Sequence, residues 1–168
     1  VPVAAAEVPE SGRHFDLVAD DSIRAAVAKL ADLRALTSLA ATFDVTRFGR
    51  GGLHVVGRVS GLVGQVCVVT LEPMDSRLEE TVDLIFSSTQ ADLTGNDGKE
   101  VDVTTEDAPE PLIDGVVDLG AIATEFLILG IDPYPRKPDA VFEPLAAEGD
   151  PVRPFAALAA LKKDEGQQ

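Results

Sequence analysis

The stretch Ala35-Leu36-Thr37-Ser38-Leu39-Ala40-Ala41-Thr42-Phe43-Asp44-Val45 decides the fold class. Its odd positions run Ala35, Thr37, Leu39, Ala41, Phe43, Val45, while the even ones include Ser38, Thr42 and Asp44. Successive side chains of an extended chain point to opposite sides, so this alternation predicts a strand with one buried face. Arg50-Gly51-Gly52 follows and supplies the positive φ that a hairpin turn needs. Beyond it Leu53, Val55 and Val59 share one face, with His54 and Arg58 on the other. Residues 60–64, with two glycines, read as a second, looser turn. Residues 65–71 read as a third strand, apolar on both faces and therefore central in its sheet. Residues 72–76, with Pro73, turn again. In residues 77–87 Leu78, Val82, Leu84 and Phe86 point inward, while Arg77, Glu79, Thr81 and Asp83 point outward. Four consecutive strands on short links imply an antiparallel meander.

Working outward, residues 14–18 read as a short strand. Asp20, Asp21 and Ser22 are helix-start residues, and Ile23, Ala26, Val27 and Leu30 follow at helical spacing, which predicts a helix over 21–31. A second helix is expected over 118–130. Asp118 caps it, Leu119, Ile122, Phe126 and Leu129 form its stripe, and Gly130 ends it before Asp132-Pro133. Residues 88–112 have no periodicity and contain Gly95-Asn96-Asp97-Gly98, which reads as a long acidic loop. Asn96-Asp97-Gly98 could close a small hairpin onto Val101-Asp102-Val103. The expected fold is α+β: an antiparallel β-meander sheet of about four to six strands, two packed helices, the acidic loop and a short C-terminal helical tail. Residues 1–12 are expected to be a flexible arm, 13–144 a single domain, and 145–168 a tail.

With 168 residues, 45 % of them apolar and 26 % charged, the composition is that of one globular domain rather than a disordered chain. No apolar run is long enough for a membrane span. Residues 1–8 are apolar but contain Glu7 and follow no basic residue, which does not fit a signal peptide. A single cysteine excludes an internal disulfide framework or multi-cysteine metal cluster, and the expected setting is cytoplasmic. The net charge of −15 is concentrated. Residues 1–71 balance seven acids with seven bases, whereas residues 72–132 hold sixteen acids against Arg77 and Lys99. Such a surface repels phosphate and attracts basic proteins, or else simply solvates the chain.

Motifs for chemistry are sparse. Cys67 sits in an apolar run without the electropositive surroundings of a reactive thiol, and reads as a small core hydrophobe. Two histidines and one cysteine, far apart, match no metal-ligand spacing, so no metal and no cofactor is expected. Gly49-Arg50-Gly51-Gly52 links strands and opens no helix, so it is not a phosphate loop. Arg47, Arg50 and Arg58, with Phe43 and Phe48 nearby, are too few bases for a nucleic-acid binder on this acidic background, though a local RNA contact would be possible. A metal-assisted RNA-processing hydrolase would need a pocket gathering several of Asp114, Asp118, Glu125 and Asp132. A general acidic protein-interaction module is a further alternative.

Two apolar-plus-basic stretches near the C-terminus are the candidate partner-binding elements. Asp132-Pro133-Tyr134-Pro135-Arg136-Lys137-Pro138 is held extended by its prolines and is expected to be rigid and exposed, with Asp132, Tyr134, Arg136 and Lys137 as contacts. Pro154-Phe155-Ala156-Ala157-Leu158-Ala159-Ala160-Leu161-Lys162 carries Phe155, Leu158 and Leu161 at three-residue spacing and ends on Lys162. A helix this short is marginal alone, so it must dock on its own domain or in a partner's groove.

Three stretches together resemble the YceD family, the large ribosomal RNA subunit accumulation proteins. They are residues 66–73 with the strand 78–86, the segment from Val117-Asp118-Leu119 through the prolines of 132–138, and the closing Pro154-to-Lys162 motif. The resemblance spans roughly residues 14–163. It implies a bacterial cytoplasmic, non-enzymatic factor supporting large-subunit assembly and accumulation of its RNA. Genes of the family commonly neighbour that of a small basic ribosomal protein, which makes such a protein, or an assembly factor, the implied partner. Many members carry Cys-x-x-Cys where this chain has Cys67-Val68-Val69-Thr70, so the metal or redox role those members suggest lacks its second cysteine here.

Overall fold

The computed structural model describes residues 1–87 and 109–142. The acidic segment from 88 to 108, with its expected hairpin, and the tail from 143 onward lie outside the described residues.

Three long strands build the framework: β3 (Ala35–Phe48), β4 (Gly52–Val66) and β5 (Pro73–Ser87). β2 (Arg13–Val18) pairs with β3 on one side, and the two-residue β6 (Glu110–Pro111) runs parallel to the end of β5 on the other. The order β2-β3-β4-β5-β6 is thus a mostly antiparallel sheet, as the alternating pattern requires. The hairpin from β3 to β4 turns at residues 49–51, where Gly49 and Gly51 take φ of 53° and 91°.

Two expectations about this sheet are corrected. Residues 60–64 are not a turn: β4 runs unbroken to Val66. Residues 65–71 are not a central strand: β4 ends at Val66, β5 begins at Pro73, and 67–72 connect them. The glycines that suggested a turn serve packing instead. A Cβ on Gly61 would come within 2.7 Å of Leu127 Cδ1, so the missing side chain lets a helix lie against the strand. The alternation in β3 also shifts once. A bulge between Leu36 and Ser38 buries Leu36 rather than Thr37, after which Leu39, Ala41, Phe43 and Val45 face inward as expected.

Both helices cover one face of the sheet. α1 (Asp21–Leu30) is capped by Asp20, whose carboxylate accepts from the Ile23 N–H at 2.9 Å. α2 (Leu119–Leu129) is capped by Asp118 and ends at Gly130. It buries Leu119, Ile122, Ala123 and Leu127. The expected stripe is therefore rotated at its C-terminal end, with Leu127 buried and Leu129 72 % exposed. Among the described residues no helix covers the other face of the sheet. His14 with Asp44, His54 with Asp83 and Arg58 with Glu79 pair across it.

The opening residues are not a free arm. β1 (Pro2–Ala4) pairs antiparallel with β7 (Val116–Asp118), and Val3 and Val8 are buried in the core. Arg47 fastens this segment by donating from Nε to the Val8 carbonyl at 2.5 Å. Its charge is used within the fold.

Candidate functional site

The end of the sheet where β4 turns into β5 collects the residues of most interest. The turn opens on Cys67, which is buried, and closes through the Leu71 N–H donating to the Cys67 carbonyl at 2.9 Å. Leu71 takes a φ of 58°, unusual for a residue with a branched side chain and imposed by the tight return to β5. The segment after α2 lies along this turn. Gln65 Nε2 donates to the Asp132 carbonyl at 2.8 Å, and the Val68 N–H donates to the Pro135 carbonyl at 2.9 Å. The Lys137 N–H points at Cys67 Sγ at 3.4 Å, and Lys137 Nζ pairs with Glu72 at 2.7 Å.

The segment expected to be rigid and exposed is therefore only partly so. Pro135 is buried and Lys137 half-buried, while Asp132, Tyr134 and Arg136 are exposed. Asp132 is tied locally, accepting from the Tyr134 N–H at 2.8 Å, which sets the bend. Phe155, Leu158, Leu161 and Lys162 lie outside the described residues.

Sequence reasoning missed the other half of this end. Val66, Val68 and Leu71 are 45 %, 43 % and 78 % exposed, and Tyr134 is 71 % exposed. They make an apolar tip beside Arg136 and Lys137. A run apolar on both faces can be fully buried only in a sheet covered on both sides. With only two expected helices, an exposed apolar surface was the other available reading, and Pro73 just beyond marked the run's end.

Cys67 is buried as expected, but in a turn rather than a strand. The Thr70 hydroxyl is buried beside the sulfur. That hydroxyl, then the backbone N–H groups of Lys137 and Thr70, hold the thiol well below its usual range, at about 6. The sulfur is sealed by its own turn rather than by a deep core, so desolvation opposes these hydrogen bonds without cancelling them. Glu72 is held below the ordinary carboxylate range, chiefly by its hydrogen bond to Lys137.

The remaining candidates do not assemble. Arg58 pairs with Glu79, Arg47 holds the opening segment, and Phe43 is fully buried, so the basic-aromatic set around the first hairpin is not one surface. Among the described residues no group of three or more His, Cys, Asp or Glu is placed to hold a metal ion. Asp118 is a helix cap, and Asp114, Glu125 and Asp132 do not join it in such a group. No helix among the described residues is long and apolar enough to cross a membrane.

Fold and tip together define, among the described residues, an α+β protein with one helix-covered face and an exposed apolar end. The chain belongs to the YceD family, described as large ribosomal RNA subunit accumulation protein, whose model matches residues 55–162. That match takes in most of β4, together with β5, the tip and α2. No curated protein and no solved structure matches the chain. The family description points to a role in accumulation of large-subunit ribosomal RNA.

Proposed function

We propose that this protein performs no chemistry of its own and supports large-subunit assembly by holding a protein partner at the tip. The observation that carries this reading is the exposed cluster Val66, Val68, Leu71 and Tyr134, fixed in place by the hydrogen bonds of Gln65 and Val68 to the 132–135 backbone. Apolar side chains exposed together on a rigid support, with an arginine beside them, have the composition of the central part of a protein interface. Because the support is already ordered, binding costs little conformational entropy.

The partner in this reading is a basic ribosomal protein of the large subunit or a basic assembly factor. The acid-rich stretch 72–132 begins beside the tip and includes Asp75, Glu79, Glu80 and Asp83 along β5. It would draw a basic protein in and orient it, while the apolar tip supplies the lasting contact. RNA contact would then be local or made through the partner.

The test is complementation. A deletion strain is expected to show a low ratio of large- to small-subunit ribosomal RNA. The wild-type chain should restore it, and a Val68→Asp, Leu71→Asp double variant should not, despite a melting temperature close to wild type. Full restoration by the double variant would remove the tip from the function.

A further inference from the structure

α2 carries a single charged residue, Glu125, in eleven positions, so it is apolar around most of its circumference. A helix of that composition is ordinarily covered on all sides. Among the described residues the sheet covers only one side. On the other, Leu129 stands 72 % exposed, and α1 alongside leaves Ile23 and Leu30 48 % and 71 % exposed. Between the helices runs a groove of about 630 Å³, walled by Ile23, Leu30, Ala121, Thr124, Ile128 and Leu129. Asp118 on its rim is already paired with the Val1 ammonium at 2.8 Å, which leaves Glu125 as the acid on its wall.

We propose that this groove holds the chain's own segment 154–161, with Phe155, Leu158 and Leu161 against Ile23, Leu30, Ile128 and Leu129. The place where the described chain ends supports this occupant. The C-terminal end of α1 leads to Arg34, whose N–H donates to the Gly64 carbonyl at 2.9 Å. Gly64 lies just before Cys67, against which Lys137 is held. The last described residues therefore leave the fold at the end of the sheet where the groove opens beside Leu30. Twelve residues separate Phe142 from Phe155. At roughly 3.3 Å per extended residue they reach about 40 Å.

Size and charge agree. Ile23 to Leu30 is seven residues of helix, about 10 Å at 1.5 Å per residue, and Phe155 to Leu161 as a helix would span about 9 Å. Lys162 and Lys163 follow the stripe directly, and Glu125 stands on the groove's wall. The segment 88–108 is a poorer occupant. It leaves at Ser87 and re-enters beside β6, at the edge of the sheet away from α1, and it is acidic without an apolar stripe. The inference is independent of the docking tip, because none of the tip residues lines the groove. Its consequence is that in the free protein the stripe and the groove cover each other, and a partner that takes either one exposes the other.

A nitroxide label on Ala160→Cys, opposite the stripe on a helix, in a Cys67→Ser background of the full chain tests it. The expected result is loss of methyl peak height at Ile23, Leu30, Ile128 and Leu129, persisting when the sample is diluted with unlabelled chain and abolished by adding Leu158→Asp. Broadening seen only when a spin-labelled chain is mixed with a separate isotope-labelled chain would show a second copy in the groove and overturn the proposal. No broadening in either sample would overturn it as well, leaving the groove to a partner.

Discussion

His14 shows how the open face of the sheet is held at the level of single residues. Its Nδ1 lies 2.7 Å from Asp44 on the neighbouring strand and its Nε2 lies 3.3 Å from Asp16 on its own. The hydrogen bond to Asp44 is the main reason its pKa stands above the ordinary 6.5, with Asp16 adding to it. A raised folded value means that the protonated ring stabilises the fold. That contribution is complete below the unfolded value near 6.5 and is lost as pH rises through the folded value. Asp44→Asn should therefore move the imidazole titration back toward 6.5, read from the ring-proton shifts, and should flatten the fall in stability above pH 6.5. An unchanged titration would mean that Asp44 does not govern the ring. Cys67 teaches a different lesson at the same scale. Its burial could be read from its apolar neighbours, but the N–H groups aimed at its sulfur come from Thr70 and from Lys137, seventy residues away. Only the folded chain brings the second one close.

Among the elements, β4 and α2 are the pair on which the packing turns. Gly61 stands in the middle of a fifteen-residue strand because Leu127 needs its space, and Gly57 likewise leaves room for the ring of Phe43. Gly61→Val would drive its side chain into Leu127 and toward the Ser38 carbonyl, and should destabilise the fold by about 1–3 kcal/mol in urea unfolding, the usual range for overpacking. A neutral result would show that α2 is free to shift on the sheet. The strand periods, both helix starts and the end of α2 could be read in the sequence, because each rests on local chemistry: alternation, aspartate caps and a terminal glycine. The unbroken β4 could not, because a glycine kept for close packing and a glycine kept for a turn look alike until the partner helix is in place. The bulge after Leu36 is equally silent, since pairing with Leu62 and Val63 creates it.

For the whole molecule, charge is the organising feature. A net of −15 with sixteen acids between residues 72 and 132 concentrates negative charge in one stretch of the chain. If that stretch draws in a basic ribosomal protein, affinity should fall steeply with salt, as the Debye length shrinks from about 10 Å at 0.1 M to about 3 Å at 1 M. A dissociation constant unchanged between 0.1 and 0.5 M, measured by titration calorimetry, would leave the apolar tip as the only holding contact. Half of the candidate site is legible in the sequence. Tyr134 and Arg136 are exposed as their proline-rich setting implies, whereas the apolar run that holds Val66, Val68 and Leu71 implies a core strand.

The sequence by itself determined the α+β class, the antiparallel strands, the two capped helices, the concentration of negative charge and the resemblance to its family. All of these are properties of short windows or of composition. Tertiary structure alone decided which apolar residues face water. It moved 67–71 from the sheet to an exposed tip, drew Val3 and Val8 into the core and turned Leu129 outward. Burial depends on what lies across from a residue, and in this chain those partners come from far along the sequence: Val117 for Val3, and the 132–137 backbone for the tip.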